Sequence, residues 1–190
     1  MIARQFTEDR LAAVYDRFYP PERRADFAFY LPLALAARAV LDVGCGTGAL
    51  LRLAREADHT GWLCGLDPAS GMLNQARQRP DIEWVHGDLA TANWQREFEL
   101  VVMTGHAFQE LVTDDEVHAA LAAIHAALTN AGRFAFETRN PRDRAWERWA
   151  TEYSGAVTAA TDALVRCAYH AELPVTGDIV RSVNTFTSPA

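Results

Sequence analysis

The sequence predicts an α/β fold, a doubly wound parallel sheet preceded by a helical lid and followed by an antiparallel strand unit. Three observations predict it. Between residues 39 and 138 short apolar runs alternate with helix-length segments, as crossover units do when they build a parallel sheet covered on both faces. The first run, Val40-Leu41-Asp42-Val43, enters the turn Gly44-Cys45-Gly46-Thr47-Gly48, whose alternating glycines leave backbone bare for a ligand to approach. Asp42, Asp67 and Asp88 stand at the ends of three successive runs, and open α/β sheets bind ligands beyond the carboxyl ends of their strands.

Each element has its own warrant. Residues 7–19 carry Leu11, Val14, Tyr15 and Phe18 at helical spacing, and Pro20-Pro21 ends that helix. A second helix is expected over 22–37, bent or broken at Pro32. Strands follow at 39–43, 61–66, 82–86 and 98–104, with helices at 47–57 and 69–79. Thr113-Asp114-Asp115-Glu116 is a capping box opening a helix whose apolar face is Val117, Leu121, Ile124 and Leu128. Asn130-Ala131-Gly132 is expected to stop that helix before a fifth strand at 133–138.

Beyond Asn140-Pro141 the character changes. A short helix at 142–150 would carry Trp146 and Trp149, and strands at 153–158, 163–172 and 178–186 would form an antiparallel meander. Their turns would be Thr161-Asp162 and Pro174-Val175-Thr176-Gly177. The expected division is a helical lid over 1–38, an α/β core over 39–141 and an antiparallel appendage over 142–190, facing substrate or an interface.

Bulk properties narrow the function. With 190 residues, 49% hydrophobic and 23% charged, the chain suits one globular domain with a real core. A net charge of −7 without a basic run disfavours nucleic acid as a partner. The longest apolar run, 31–37, contains Pro32 and is too short to span a bilayer, and the first residues lack the apolar core of a signal peptide. A cytoplasmic protein with no membrane partner is expected. Cys45, Cys64 and Cys167 form no C-x-x-C pair, which argues against a disulfide frame or a metal site.

Charge gives the glycine turn its chemistry. Asp42 beside it would attract a cation and repel a pyrophosphate. Asp67, roughly 20 residues past the first glycine, stands where a carboxylate accepts ribose hydroxyls. Asp88 is placed to accept from an adenine amino group while the Leu89 N–H serves a ring nitrogen. Each has a plainer alternative: Asp67 precedes Pro68 and a helix that it could cap, and Asp88 could form a turn. Gly44-x-Gly46-x-x-Ala49 also satisfies a loose dinucleotide fingerprint. Against a nicotinamide cofactor stands the repulsion between Asp42 and a pyrophosphate, on the order of several kcal/mol in a partly dry site.

These residues carry a family resemblance. Val40-Leu41-Asp42-Val43-Gly44-Cys45-Gly46-Thr47-Gly48 resembles the first motif of class I S-adenosylmethionine-dependent methyltransferases, small-molecule type, whose core is a Rossmann-like sheet. Gly65-Leu66-Asp67 is similar to their ribose-binding position and Gly87-Asp88-Leu89 to their adenine-binding one. Phe98-Glu99-Leu100-Val101-Val102 and Leu128-Thr129-Asn130-Ala131-Gly132-Arg133 extend the resemblance to the fourth and fifth strands. It implies S-adenosylmethionine as cofactor, its methionine part held by Asp42, Gly44, Cys45 and Gly46, with Met72 packing on the adenine. Thr104 and His106, after the fourth strand, would border the sulfonium. His106 would act as general base or only position substrate, and Tyr15 and Tyr19 would fold over the cofactor, Tyr19 offering a hydroxyl for catalysis or only aromatic packing. Arg139 would bind an acidic substrate group or pair with Glu137 or another carboxylate.

The expected function is methyl transfer to an oxygen or nitrogen of a small-molecule acceptor. The alternatives are a cofactor-binding module without turnover and a NAD-dependent oxidoreductase. The family usually closes its sheet with a further helix and two strands; nothing after Phe186 supplies them, so a shortened chain and a homodimer through the C-terminal strands are expected.

Overall fold

The computed structural model of the protein describes residues 4–172 and 179–187. Helices α1 (Arg4–Thr7), α2 (Asp9–Phe18) and α3 (Phe27–Ala36) precede a five-stranded parallel sheet of order β3-β2-β1-β4-β5. Its strands are β1 (Ala39–Val43), β2 (Trp62–Asp67), β3 (Glu83–His86), β4 (Phe98–Met103) and β5 (Leu128–Phe136); its crossover helices are α4 (Ala49–Glu56), α5 (Ser70–Ala76) and α6 (Asp114–Ala127). β1 lies between β2 and β4, with Asp42 in register with Gly65 and Val102. Strand order therefore reverses at β1, which sets the glycine turn at the topological switch point.

Alternation along the central strands explains the layering. Val40, Leu100 and Val102 pack with Phe27, Tyr30, Leu50 and Leu51 of α3 and α4, whereas Leu41, Val43, Val101 and Met103 pack with Ile124 and Ala127 of α6. Asp42 has the parity of Val40 and so lies on the α3–α4 side.

Several expectations are corrected. The segment expected as a helix over 22–37 starts as one 3₁₀ turn, Pro21–Arg23, and only Phe27–Ala36 is α-helical. Pro32 stays inside α3; burial of Phe27, Tyr30 and Ala34 on its two flanks outweighs one lost backbone bond. The capping box forms, with the Glu116 N–H donating to Thr113 Oγ1 (3.2 Å) and the Thr113 N–H donating to Glu116 Oε2 (2.8 Å). The buried stripe of α6 is Ala120, Ile124 and Ala127, and Leu121 is exposed. Asn130-Ala131-Gly132 does not stop α6: the helix ends at Ala127, Leu128 already pairs with Phe98, and a register shift absorbs the extra residues before Leu100 meets Arg133. The helix expected at 142–150 is three short pieces, Pro141–Asp143, Ala145–Glu147 and α7 (Trp149–Glu152), the first two separated by Arg144 at a left-handed φ of 48°.

β6 (Gly155–Thr158), β7 (Leu164–Ala171) and β8 (Ser182–Thr187) form an antiparallel sheet of order β6-β7-β8. The expected turn at 174–177 lies outside the described residues. This sheet leans on α2: the Phe18 and Phe186 rings are 6.1 Å apart, those of Tyr19 and Tyr153 6.1 Å, and Arg17 Nη1 donates to the Thr158 carbonyl (2.6 Å). Among the described residues no helix is long and apolar enough to cross a membrane.

Candidate cofactor site

The chain leaves β1 through Gly44, Gly46 and Gly48 at φ of 72°, 57° and 77°. Gly48 has no tolerable substitute, because a Cβ there would lie 2.2 Å from the Trp84 indole. The turn's N–H groups face inward. Those of Gly44 and Cys45 donate to the Leu66 carbonyl (2.8 and 3.2 Å), that of Gly46 to Asp67 Oδ2 (2.8 Å) and that of Gly48 to the Cys45 carbonyl (2.9 Å). A pyrophosphate cradle needs such donors free. Here four of the five, all but that of Thr47, are engaged, and what the region holds in reserve is an acceptor, Asp42.

Asp42 is 1% exposed, and its Oδ1 is fully buried without a hydrogen-bond partner. Burial pushes its pKa up to about 8 against the pull of the Arg24 guanidinium, with Asp67, Glu137 and Asp26 adding repulsion. Asp67 accepts two backbone N–H groups, Gly46 on Oδ2 and Ala69 on Oδ1, both at 2.8 Å. It does not cap α5, whose N-cap is Ala69, and instead ties the end of β2 to the glycine turn. Burial raises its pKa, and the two N–H donors oppose that rise. Asp88 is exposed and closes a turn, its Oδ1 accepting from the Ala90 and Thr91 N–H groups (3.0 Å each), while the Leu89 N–H takes no part in that turn. Met72 is buried with its Cε 3.2 Å from where a Gly46 Cβ would stand, in one cluster with Ala12, Ala69, Phe6 and Tyr15. Cys45 and Thr104 are buried, and burial raises the Cys45 thiol well above its ordinary pKa.

The second group of named residues faces a cavity of about 1480 Å³ between α2, the end of β5 and the small sheet, lined among others by Tyr15, Tyr19, His106, Glu137, Arg139 and Tyr153. Asp42, Gly44, Gly46, Asp67, Met72, Asp88 and Leu89 do not line it. Tyr15 joins the two groups, packing beside Met72 and lying close enough to Asp67 to sense its charge. Burial raises the pKa of Tyr15 and of Tyr19, so both keep their phenolic protons. His106 adopts a left-handed φ of 68°, and its N–H donates to Glu137 Oε1 (3.0 Å). Its Nδ1 is buried 4.0 Å from the same oxygen with no hydrogen bond. Desolvation and then the Arg139 charge lower its pKa, leaving the ring neutral at pH 7.

Three residues escape a sequence reading. Glu137 also accepts the Tyr30 hydroxyl, so it fixes α3 against the His106 turn. Arg24 is bound to Asp26 (Nη2–Oδ2 2.6 Å) and lies 3.1 Å from the Cβ that Gly105 lacks, within electrostatic reach of Asp42. Asp16 accepts from the Thr47 hydroxyl and from Arg52, both at 2.7 Å, clamping α2 onto the turn. Only the local Arg24–Asp26 spacing left a trace in the sequence. Glu137 and Asp16 act on partners from distant segments.

Comparison with known proteins agrees with this geometry. Residues 40–132 match the family described as methyltransferase domain. The chain is 30% identical over 128 residues to the malonyl-[acyl-carrier protein] O-methyltransferase of Anoxybacillus flavithermus, covering 64% of this chain and 49% of that protein. It is 33% identical over 119 residues to the 2-phytyl-1,4-naphtoquinone methyltransferase of Thermosynechococcus vestitus, covering 60% and 52%. The chain thus spans about half the length of these curated relatives. Among solved structures, Streptomyces venezuelae DesVI superposes with a TM-score of 0.65 at 25% identity, over 93% of this chain and 82% of that one. The family match begins at Val40, two residues before Asp42, and ends at Gly132 inside β5: over the segment that carries the glycine turn and its carboxylates, the chain is similar to the class I S-adenosylmethionine-dependent methyltransferases.

Proposed function

We propose that this protein binds S-adenosylmethionine at the β1 turn and transfers its methyl group to an oxygen or nitrogen of a small-molecule acceptor in the adjoining cavity. The observation that carries the reading is the polarity of the turn: the N–H donors of Gly44, Cys45, Gly46 and Gly48 are engaged internally, while Asp42 keeps a buried oxygen without a partner. That arrangement suits an ammonium and not a pyrophosphate. When bound, the cofactor supplies a methyl group on a sulfonium that needs no further activation. Asp42 would answer its ammonium, Arg24 its carboxylate, Asp67 its ribose, and Met72 and the Leu89 N–H its adenine; Gly44, Cys45, Gly46 and Thr104 would shape the pocket.

On the acceptor side the chain's task is to align a nucleophile and take its proton. His106 is neutral, and Glu137 holds its backbone while facing Nδ1, so the ring would serve as general base. Tyr19 keeps its proton and would donate a hydrogen bond to the acceptor. The excess of acidic residues supports a reading without nucleic acid; β8 is an edge of the small sheet through which two copies would pair. Calorimetry is the direct test. Micromolar binding of S-adenosylhomocysteine with no binding of NADH is expected, and the reverse result overturns the reading. Cofactor binding without methyl loss to any acceptor would instead leave a binding module.

A further inference from the structure

We infer that the acceptor is a carboxylic acid with an aromatic or branched apolar body, and that Arg139 holds its carboxylate. This rests on the reading of the 1480 Å³ cavity as the acceptor side of the site. Arg139 follows β5 by three residues, is half-buried and lines that cavity. Its backbone N–H and its Nη1 both donate to Gln109 Oε1, at 3.1 and 3.3 Å, and its guanidinium carbon lies 4.9 Å over the ring of the buried Trp149. The side chain is therefore held from one side and from below.

What it lacks is a counter-ion. Among the described residues no carboxylate pairs with Arg139, whereas Arg24, Arg52 and Arg79 each have one. The nearest carboxylate along the chain, Glu137, is engaged by the Tyr30 hydroxyl and the His106 N–H instead. A half-buried guanidinium kept in place but uncompensated favours an oxyanion from outside, and its Nε–Nη2 edge, with no partner among the described residues, matches a carboxylate in a two-pronged geometry. Arg10, Arg17, Arg23 and Arg24 line the same cavity with Arg139, and Asp26, Glu110, Glu137 and Glu152 nearly balance them, so the lining matches a singly charged acid better than a doubly charged phosphate. One part of the wall is aromatic: Tyr153 stands 5.3 Å from Tyr169 and 6.1 Å from Tyr19, and Phe18 meets Phe186. With the carboxylate on Arg139, the nucleophile of the same molecule is presented toward His106, whose charge state Arg139 already influences.

The test is calorimetry with phenylacetate, its neutral analogue phenylacetamide, and phenyl phosphate, each with and without S-adenosylhomocysteine. The native chain should bind the acid roughly tenfold or more tightly than the amide, the scale of one charge-assisted pair. Arg139→Gln should reduce that ratio to about unity and leave S-adenosylhomocysteine affinity unchanged, while Arg139→Lys, keeping charge but losing the fork, should fall between. An acid-to-amide ratio near one in the native chain, no measurable binding of the acid, a ratio that survives Arg139→Gln, or tighter binding of phenyl phosphate each overturns the inference. Failure of S-adenosylhomocysteine to bind the native chain overturns the cofactor reading instead, and the ratio is still read on the unliganded protein.

Discussion

Burial holds Asp42 in its neutral form up to about pH 8, and a cation beside it would favour the ionised one. With its pKa near 8 in the fold and near the usual 3.9 in the unfolded chain, the folded protein binds the extra proton across that interval. Stability attributable to Asp42 therefore falls as pH rises from about 4 to about 8. Asp42→Asn should raise Tm at pH 8 by several degrees, read by calorimetric melting, because it removes the buried charge. The same variant should weaken S-adenosylhomocysteine binding roughly ten- to a hundredfold, the scale of about 1.5–3 kcal/mol for a hydrogen bond to a charged group. In the native chain, affinity should climb with pH up to about 8 and then level, because ligand binding expels the Asp42 proton. Titrations in buffers of different ionisation enthalpy read that proton directly. His106 works in the opposite sense: its lowered pKa keeps the base form into more acidic solution, so kcat/KM should hold below the ordinary histidine value of about 6.5. Arg139, Arg24, Glu137 and Asp26 are the charges that set it. His106→Ala should cut turnover at unchanged cofactor affinity; full activity in that variant removes the base.

Among elements, the β1 turn and the strand ends after it were the most legible in sequence. Gly44, Gly46 and Gly48 with Asp42 are local signals, and a left-handed turn at the end of a buried strand admits little else. The capping box of α6 was equally local. What sequence could not show was the second duty of Asp67. Its carboxylate was read as facing a ribose or a helix end, but it also fastens the turn to β2 through the Gly46 N–H. Asp67→Ala should therefore lower stability by about 1–3 kcal/mol, since two buried N–H donors lose their acceptor, and should weaken cofactor binding as well. Denaturant unfolding and calorimetry on one preparation separate the two losses. Retained affinity alongside reduced stability would assign Asp67 to the turn alone. Boundaries were misread where tertiary pairing overrode local signals, as at Asn130-Ala131-Gly132, where pairing with Phe98 draws the chain into β5 at Leu128.

At the scale of the molecule, α2 and the small antiparallel sheet, distant in sequence, meet. Phe18 and Tyr19 of the lid face Phe186 and Tyr153, contacts between residues more than a hundred positions apart that no local pattern announces. Asp16 anchors the same helix to the glycine turn. On the proposed reading, α2 has one edge toward the cofactor and one toward the acceptor. Phe186→Ala should act on the second alone, raising the acceptor KM by roughly tenfold, the scale of about 1–2 kcal/mol for a truncated aromatic contact, with S-adenosylhomocysteine affinity unchanged. A matched loss of both would show that the sheet supports the whole site.

The placing of Phe186 on β8 also imposes an order in time on a chain made from its N-terminus. The turn, its carboxylates and the α2 clamp lie in the stretch up to Asp88, and β4, which flanks β1, is complete by Met103, long before β8 is joined. The aromatic wall opposite must wait for β8. During synthesis the residues proposed to grip the cofactor are therefore made before those proposed to enclose its partner.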